Sequence, residues 1–173
     1  MEPILNKRIL HEIQVGKKSK LFEFFYDQNG KFGDKDLCYI RWKVKDGIYK
    51  NQTHVLQIKF IYGSNEIKIF PKNPPNIIFV TSIYHTNIAI GGTICLDVLK
   101  EDPQNPQSWS SMYGIETIFN SIVNLLDDHN IKSPFNINAS NDYQNKSKED
   151  FIKLCDTYYQ QKNKDAKLLT ANF

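Results

Sequence analysis

An α+β domain is predicted for this chain on three observations. Alternation of apolar and polar residues with a period of two is confined to the first half. Helical periodicity of 3.6 occupies the second half, apart from one leading segment, and a stretch with neither period separates the two. Strands first and helices afterwards, with one helix in front, is the chain order of an α+β fold and not of alternating βαβ units. At 173 residues the chain can bury one sizeable core, so residues 1–173 are read as a single domain.

The elements follow in order. Leu5, Ile9 and Ile13 recur at i, i+4 and i+8, with Lys7 and His11 on the other side, which predicts an amphipathic helix ending near Gly16. After "KLFEFFY", the run "LCYIRWKVK" alternates Cys38, Ile40, Trp42 and Val44 against Tyr39, Arg41, Lys43 and Lys45. "HVLQIKFIY" repeats the pattern through Leu56, Ile58 and Phe60. The turn-rich connections "DQNGKFGDKD" and "KDGIYKNQT" suit hairpins, so a four-stranded antiparallel meander with one buried face is expected, "NIIFV" being its fourth strand. The prolines of "FPKNPP" keep that piece out of any central strand. Ile115, Ile118, Phe119, Ile122, Leu125 and Leu126 form a nearly all-apolar stripe, the mark of a central helix lying on the sheet. Phe151, Leu154, Cys155 and Tyr158 make a second helix.

Composition narrows the function. Apolar residues make up 40% and charged residues 24% of the chain, which excludes disorder, and a net charge of +3 spread over scattered lysines is no nucleic-acid or membrane footprint. No run has the length of a membrane span, and "MEPILNKRILHEI" carries charges where a secretion leader needs an apolar core. A cytoplasmic or nuclear monomer is expected. Cys38, Cys95 and Cys155 form no disulfide framework and no C-x-x-C pair, which suits a reducing compartment, and the four histidines show no ligand spacing, so no metal is expected.

Residues 81–114 carry the chemistry. A segment of that length without periodicity inside a compact domain is usually functional, and it holds "HTNIAIGGTIC". Cys38 and Cys155 sit on apolar stripes and read as small buried hydrophobes. Cys95 does not, because Gly91 and Gly92 precede it off any stripe and permit close approach of another chain. A cysteine hydrolase would need a histidine and a group to orient it, and only His85 is near in sequence. A thioester carrier needs less: a thiol that is both nucleophile and leaving group, and a donor for the oxyanion, for which the Asn87 amide would serve.

"FPKNPPNIIFVTSIYHTNIAIGGTICLDVLK" resembles the core of the ubiquitin-conjugating enzymes: an aromatic-Pro-x-x-Pro-Pro run, a strand, His-Pro-Asn, then Gly-x-(Ile/Val)-Cys-Leu, all in register. "NKRILHEI" is similar to that family's first helix, "SWSS" to its Trp-Ser-Pro loop and Ile115 to Leu126 to its central helix, so the likeness spans about residues 3–160 and leaves a short tail over about 161–173. The resemblance implies the family's fold and its activity. Cys95 would accept ubiquitin or a similar modifier as a thioester from an activating enzyme, then pass it to a substrate lysine or to a ligase. No cofactor would be bound, ATP being consumed by the activating enzyme. Asn87 would stabilise the oxyanion or brace the loop, a turn-capping asparagine being the bland alternative. His85 reads as structural. Lys7 and Arg8 match the basic first-helix positions that meet the activating enzyme, with a solvated face as the alternative. Trp109, Ser110 and Ser111 would lie in a ligase-facing loop, or Trp109 would plug the core.

The chain departs from the family at several points. Thr86 stands for the middle proline of His-Pro-Asn, which predicts a less rigid loop. Extra residues fall in "FIYGSNEIKIF", read as a strand, turn, strand extension around Gly63, Ser64 and Asn65, and in "KEDPQNPQ" after Cys95. Lys72 replaces the hydrophobic residue that ligases grip, and Ser111 the proline of Trp-Ser-Pro. At the positions that guide the acceptor lysine stand Ala89 and Ser133, and Asp127 and Asp128 would assist there or cap the helix end. Two rival readings remain, an inactive binding module of the same fold, which would typically lack the cysteine, and a cysteine hydrolase.

Overall fold

A computed structural model describes residues 6–63 and 68–172. The first helix, α1, runs Lys7–Lys18. Asn6 caps it by accepting a hydrogen bond from the Ile9 amide at 2.9 Å, and the Asn6 amide donates to the Phe70 carbonyl at 2.9 Å, tying the helix start to the proline-rich crossing. The helix passes through Gly16 and stops two residues later, at the extended Ser19. Gly16 is there for packing: a Cβ at this position would sit 2.6 Å from the Phe24 ring. Leu5 and the insertion residues Ser64 and Asn65 lie outside the described residues.

Strands β1 (Glu23–Asp27), β2 (Leu37–Lys43), β3 (Thr53–Lys59) and β4 (Asn76–Phe79) form one antiparallel meander in chain order. The register pairs Ile40 with Leu56, Trp42 with His54 and Ile58 with Ile77, so one face carries the alternating apolar set into the core. Helix α2 (Ile115–Leu125) lies across that face. Its Phe119 meets Trp42 edge-on at 5.2 Å and Phe22 at 4.7 Å, and Ile115, Ile118, Ile122 and Leu125 are all buried.

The start of α2 is capped from α1. Gly114 at the cap position has no side chain to offer, and Glu12, only 2% exposed, accepts the Ile115 amide at 2.8 Å through Oε2 and the Arg8 Nε at 2.7 Å through Oε1. A buried carboxylate at a helix N-terminus is favoured by the helix dipole as well as by the hydrogen bond.

The sheet buries part of its second face too, against the expectation of one buried face. Leu37, Tyr39 and Val55 point away from α2 and are nevertheless buried, beneath Phe25, Phe32 and the C-terminal Leu168 and Leu169. After α3 (Ile137–Asn145) and α4 (Lys148–Asn163), the short helix α5 (Lys167–Thr170) returns to the outside of β3. Arg41 Nη1 donates to the carbonyls of Leu168, Leu169 and Ala171 at 2.7–3.2 Å, and Asn163 exchanges two hydrogen bonds of 2.8 Å with the Ser82 backbone. The described part of the expected tail, residues 161–172, is therefore a packed strap. Two-residue alternation in β2 could not reveal it, because the cover comes from more than a hundred residues away in the chain.

Candidate active site

Cys95 sits at the end of a flap that β4 holds in place. The Phe79 amide donates to the Gly92 carbonyl at 2.9 Å, and Ile88 and Thr93 make isolated bridges to Ile94 and Ile78. Gly92 has φ +87°, and a Cβ there would fall 2.0 Å from the Phe79 carbonyl oxygen, so only glycine closes this turn. Gly91 faces open space. The close approach anticipated at the two glycines is thus to the protein's own β4, at Gly92 alone.

The flap returns to Asn87, whose carbonyl accepts the Cys95 amide at 2.8 Å. Asn87 is 1% exposed and its side chain is spent on the loop after α2: Oδ1 accepts from the Asn130 amide at 2.9 Å, and Nδ2 donates to the Asn130 and Ser133 carbonyls at 3.0 and 3.4 Å. The Asn87 amide donates to His85 Nδ1 at 2.9 Å, and His85 Nε2 donates to the Leu125 carbonyl at 2.8 Å. Both ring nitrogens of His85 are therefore occupied, and burial, with His129 beside it, pulls its pKa down to about 3. This histidine holds the loop and has no free nitrogen with which to shuttle a proton.

Thr86, expected to loosen the loop, tightens it. It is fully buried, its hydroxyl lies 2.9 Å from His129 Nδ1, and its carbonyl accepts the amides of Phe135 and Asn136. His129 in turn stacks between His85 at 4.0 Å and Tyr143 at 4.1 Å, and burial lowers its pKa to about 4. Sequence reasoning missed His129 as a support of this loop because its spacing to the other histidines carries no ligand pattern. The signal it did leave is the "DDHN" run directly after the central helix, opposite "HTN".

Of the three thiols, Cys95 alone is partly exposed. Burial pushes Cys38 and Cys155 up to about 12, which makes them inert at neutral pH. Cys95 lines a cleft of about 590 Å³, together with Asn87, Asp97, Lys100, Asp128 and Asn130; no histidine lines it. Asp97 and Lys100, on and just after a 3₁₀ turn at Asp97–Leu99, form an ion pair of 2.7 Å, and both line the same cleft as the Cys95 thiol. The hydrogen bond to Asp97 raises the Lys100 amine above its usual value, against some loss of hydration, with Cys95 adding to the rise. Sequence reasoning passed over this pair.

The insertion after Cys95 supplies a wall of the cleft through Pro106 and Gln107. It closes on itself by a hydrogen bond from the Trp109 amide to the Lys100 carbonyl at 2.9 Å, and Glu101 anchors it by accepting from Lys68 at 2.7 Å and Asn73 at 2.8 Å. Trp109 joins this loop to the proline crossing: its Nε1 donates to the Pro71 carbonyl at 2.9 Å and its ring packs against Phe70 and Tyr113. Lys72, on the same crossing, and Ser111 are exposed, while Ser110 is half-buried.

Other expected positions separate. Asp128 lines the Cys95 cleft, but Asp127 lines a second pocket beside Gly47 and Ile48, so the adjacent carboxylates face different spaces. Ser133 is exposed and contributes its carbonyl to Asn87. Lys7 is exposed, whereas Arg8 is a clamp. Besides Glu12, Arg8 donates to the Ser111 and Tyr113 carbonyls, each at 2.8 Å, and lies over the Phe70 ring. Its guanidinium is thus engaged by groups of its own domain.

The fold and cleft define an α+β protein with one accessible thiol, in a cleft that a lysine lines and no histidine does. The family model described as ubiquitin-conjugating enzyme matches residues 10–159, and the chain belongs to that family. Similar curated proteins include "Ubiquitin-conjugating enzyme E2 2" of Debaryomyces hansenii, 32% identical over 96 residues that make up 56% of this chain and 54% of that one. "Ubiquitin-conjugating enzyme E2-20 kDa" of Schizosaccharomyces pombe is 34% identical over 63% of this chain and 58% of its own length. "Ubiquitin-conjugating enzyme E2-34 kDa" of Saccharomyces cerevisiae is 33% identical over 58% of this chain and 34% of its own length. The chain thus spans about half the length of the first two relatives and a third of the last.

Proposed function

We propose that this chain is a carrier of ubiquitin or a ubiquitin-like modifier. An activating enzyme, which consumes the ATP, loads the modifier onto Cys95 as a thioester, and the modifier then passes to a lysine of a protein substrate or to a ligase. The observation that carries the reading is the contrast among the cysteines: Cys95 is partly exposed in a cleft without a histidine, while Cys38 and Cys155 are sealed in the core. A hydrolase would need a base at the thiol, and His85 is fully engaged elsewhere. A thioester carrier needs none, because the thiolate is a good leaving group and the acceptor amine is the nucleophile. Asn87 acts here as the brace that sets the height of Cys95 over the cleft, Ser133 and Asp128 border the path of the acceptor, and the loops carrying Lys72, Trp109, Ser110 and Ser111 face the ligase. Free thiols in this arrangement suit a reducing intracellular compartment.

Incubation with activating enzyme, ATP and a panel of modifiers tests the reading. A reductant-sensitive adduct is expected with one of them, retained in Cys155→Ala and absent in Cys95→Ala. An adduct that survives Cys95→Ala, or none with any modifier, overturns it.

A further inference from the structure

We propose that Lys100 is a catalytic residue of the transfer step, its ammonium binding the oxyanion that forms when an amine attacks a thioester on Cys95. The inference rests on the carrier reading above and deepens it. It begins from a deficit. The Asn87 side chain is 1% exposed, and both ends of its amide are bound to the loop at Asn130 and Ser133, so donating to an oxyanion would cost it a loop contact. Among the described residues, one cationic side chain lines the cleft with the thiol, and that is Lys100.

Its placement suits the role. The carbonyl oxygen of a thioester is two bonds from Sγ, so it stands in the cleft that Cys95 and Lys100 line together. Lysine carries three donors, and one of those on Lys100 goes to Asp97 Oδ1 at 2.7 Å, which fixes the ammonium and leaves others for the reacting centre. The backbone is held on both sides, with the Lys100 amide donating to the Asp97 carbonyl at 2.8 Å and the Lys100 carbonyl accepting from Trp109 at 2.9 Å. A donor held in place before the charge develops needs little reorganisation when it does.

The step balances without any further reagent. The neutral acceptor amine adds to the thioester carbon, and the π pair of the carbonyl moves onto oxygen, where the Lys100 ammonium meets it. On collapse that pair re-forms the carbonyl, the carbon–sulfur bond breaks and its pair leaves on Cys95 Sγ. The amine's surplus proton passes to water, and Lys100 keeps its own throughout. Because the Lys100 side chain is 49% exposed, water screens the interaction, and its loss is expected to slow the step on the order of tenfold, below the effect of a fully buried donor.

The experiment is single-turnover discharge. Wild type, Lys100→Arg and Lys100→Met are charged with modifier, charging is quenched, and decay of the adduct is followed with free lysine and with hydroxylamine, alongside thermal unfolding of each protein. Lys100→Met is expected to charge, to unfold at the wild-type temperature and to discharge about tenfold more slowly to both nucleophiles, while Lys100→Arg stays within about twofold of wild type. Discharge of Lys100→Met at the wild-type rate overturns the proposal. So does a loss of rate in Lys100→Arg equal to that in Lys100→Met, which would mean that charge is not what matters. A reductant-resistant self-conjugate, absent from both variants while discharge to free lysine is unchanged, also overturns it, since Lys100 would then be an acceptor. Failure of the carrier reading shows earlier and separately, as wild type that never charges.

Discussion

Replacing Asn87 with alanine separates a brace from an oxyanion donor, because the two roles predict different measurements. The side chain makes two good hydrogen bonds to Asn130, at 2.9 and 3.0 Å, and a longer one to Ser133 at 3.4 Å. At about 1 kcal/mol net for each good bond and little for the long one, truncation removes about 2 kcal/mol; the Asn130 backbone is close enough to solvent to be rehydrated, which keeps the cost from rising further. In a domain of this size that is a fall of roughly 4–8 °C in unfolding temperature. A pure oxyanion donor would instead leave stability untouched and slow discharge about one hundred- to one thousand-fold. The assay is thermal denaturation of Asn87→Ala beside charging and single-turnover discharge, with Asn87→Gln and Asn130→Ala as controls. The brace account expects a lowered midpoint in Asn87→Ala, and slower charging as well as slower discharge, since both depend on where the flap holds Cys95. A variant that melts with wild type, charges normally and discharges a hundredfold more slowly would refute the reasoning and return the donor role to Asn87.

Other consequences are equally direct. His54 and His85 are held near pKa 3 and His129 near 4 by burial, below the ordinary 6.5, so the unfolded chain binds their protons first. Their contribution is intact above pH 6.5 and is lost as pH falls toward 4, at about 1.4 kcal/mol per pH unit for each histidine, which a urea midpoint measured across pH 4–8 will show; a flat profile would contradict their burial. Arg8→Glu is expected to lower stability by about 2–4 kcal/mol, because it strips the Glu12 cap and three carbonyls of their partner, whereas Lys7→Glu should stay within about 0.5 kcal/mol and so isolates any effect on charging by an activating enzyme. Gly92→Ala should open the flap and abolish charging while Gly91→Ala behaves as wild type, an asymmetry read in the same adduct assay.

Local pattern carried most of the architecture. The alternation through Cys38, Ile40 and Trp42, and the stripe from Ile115 to Leu126, specify which faces are apolar, and a hydrophobic face has few ways to be buried in one domain. Cys95, Asn87 and His85 were legible for a related reason: their spacing lies within eleven residues, so the flap that joins them is short enough for sequence to define. What each side chain does was decided by partners distant in the chain. The Asn87 amide is engaged because Asn130 arrives from the loop after α2, and the Arg8 guanidinium is engaged because the carbonyls of residues 111–113 close over it. Asp127 and Asp128 parted because successive residues leaving a helix point in different directions. Tyr39 was sealed on the face that alternation assigns to solvent, since the strap at Leu168 and Leu169 crosses it. Periodicity reports how one element divides its own surface; it holds no information about which remote group will occupy the polar side, and hydrogen bonds and ion pairs are short-ranged enough that only the folded arrangement settles that.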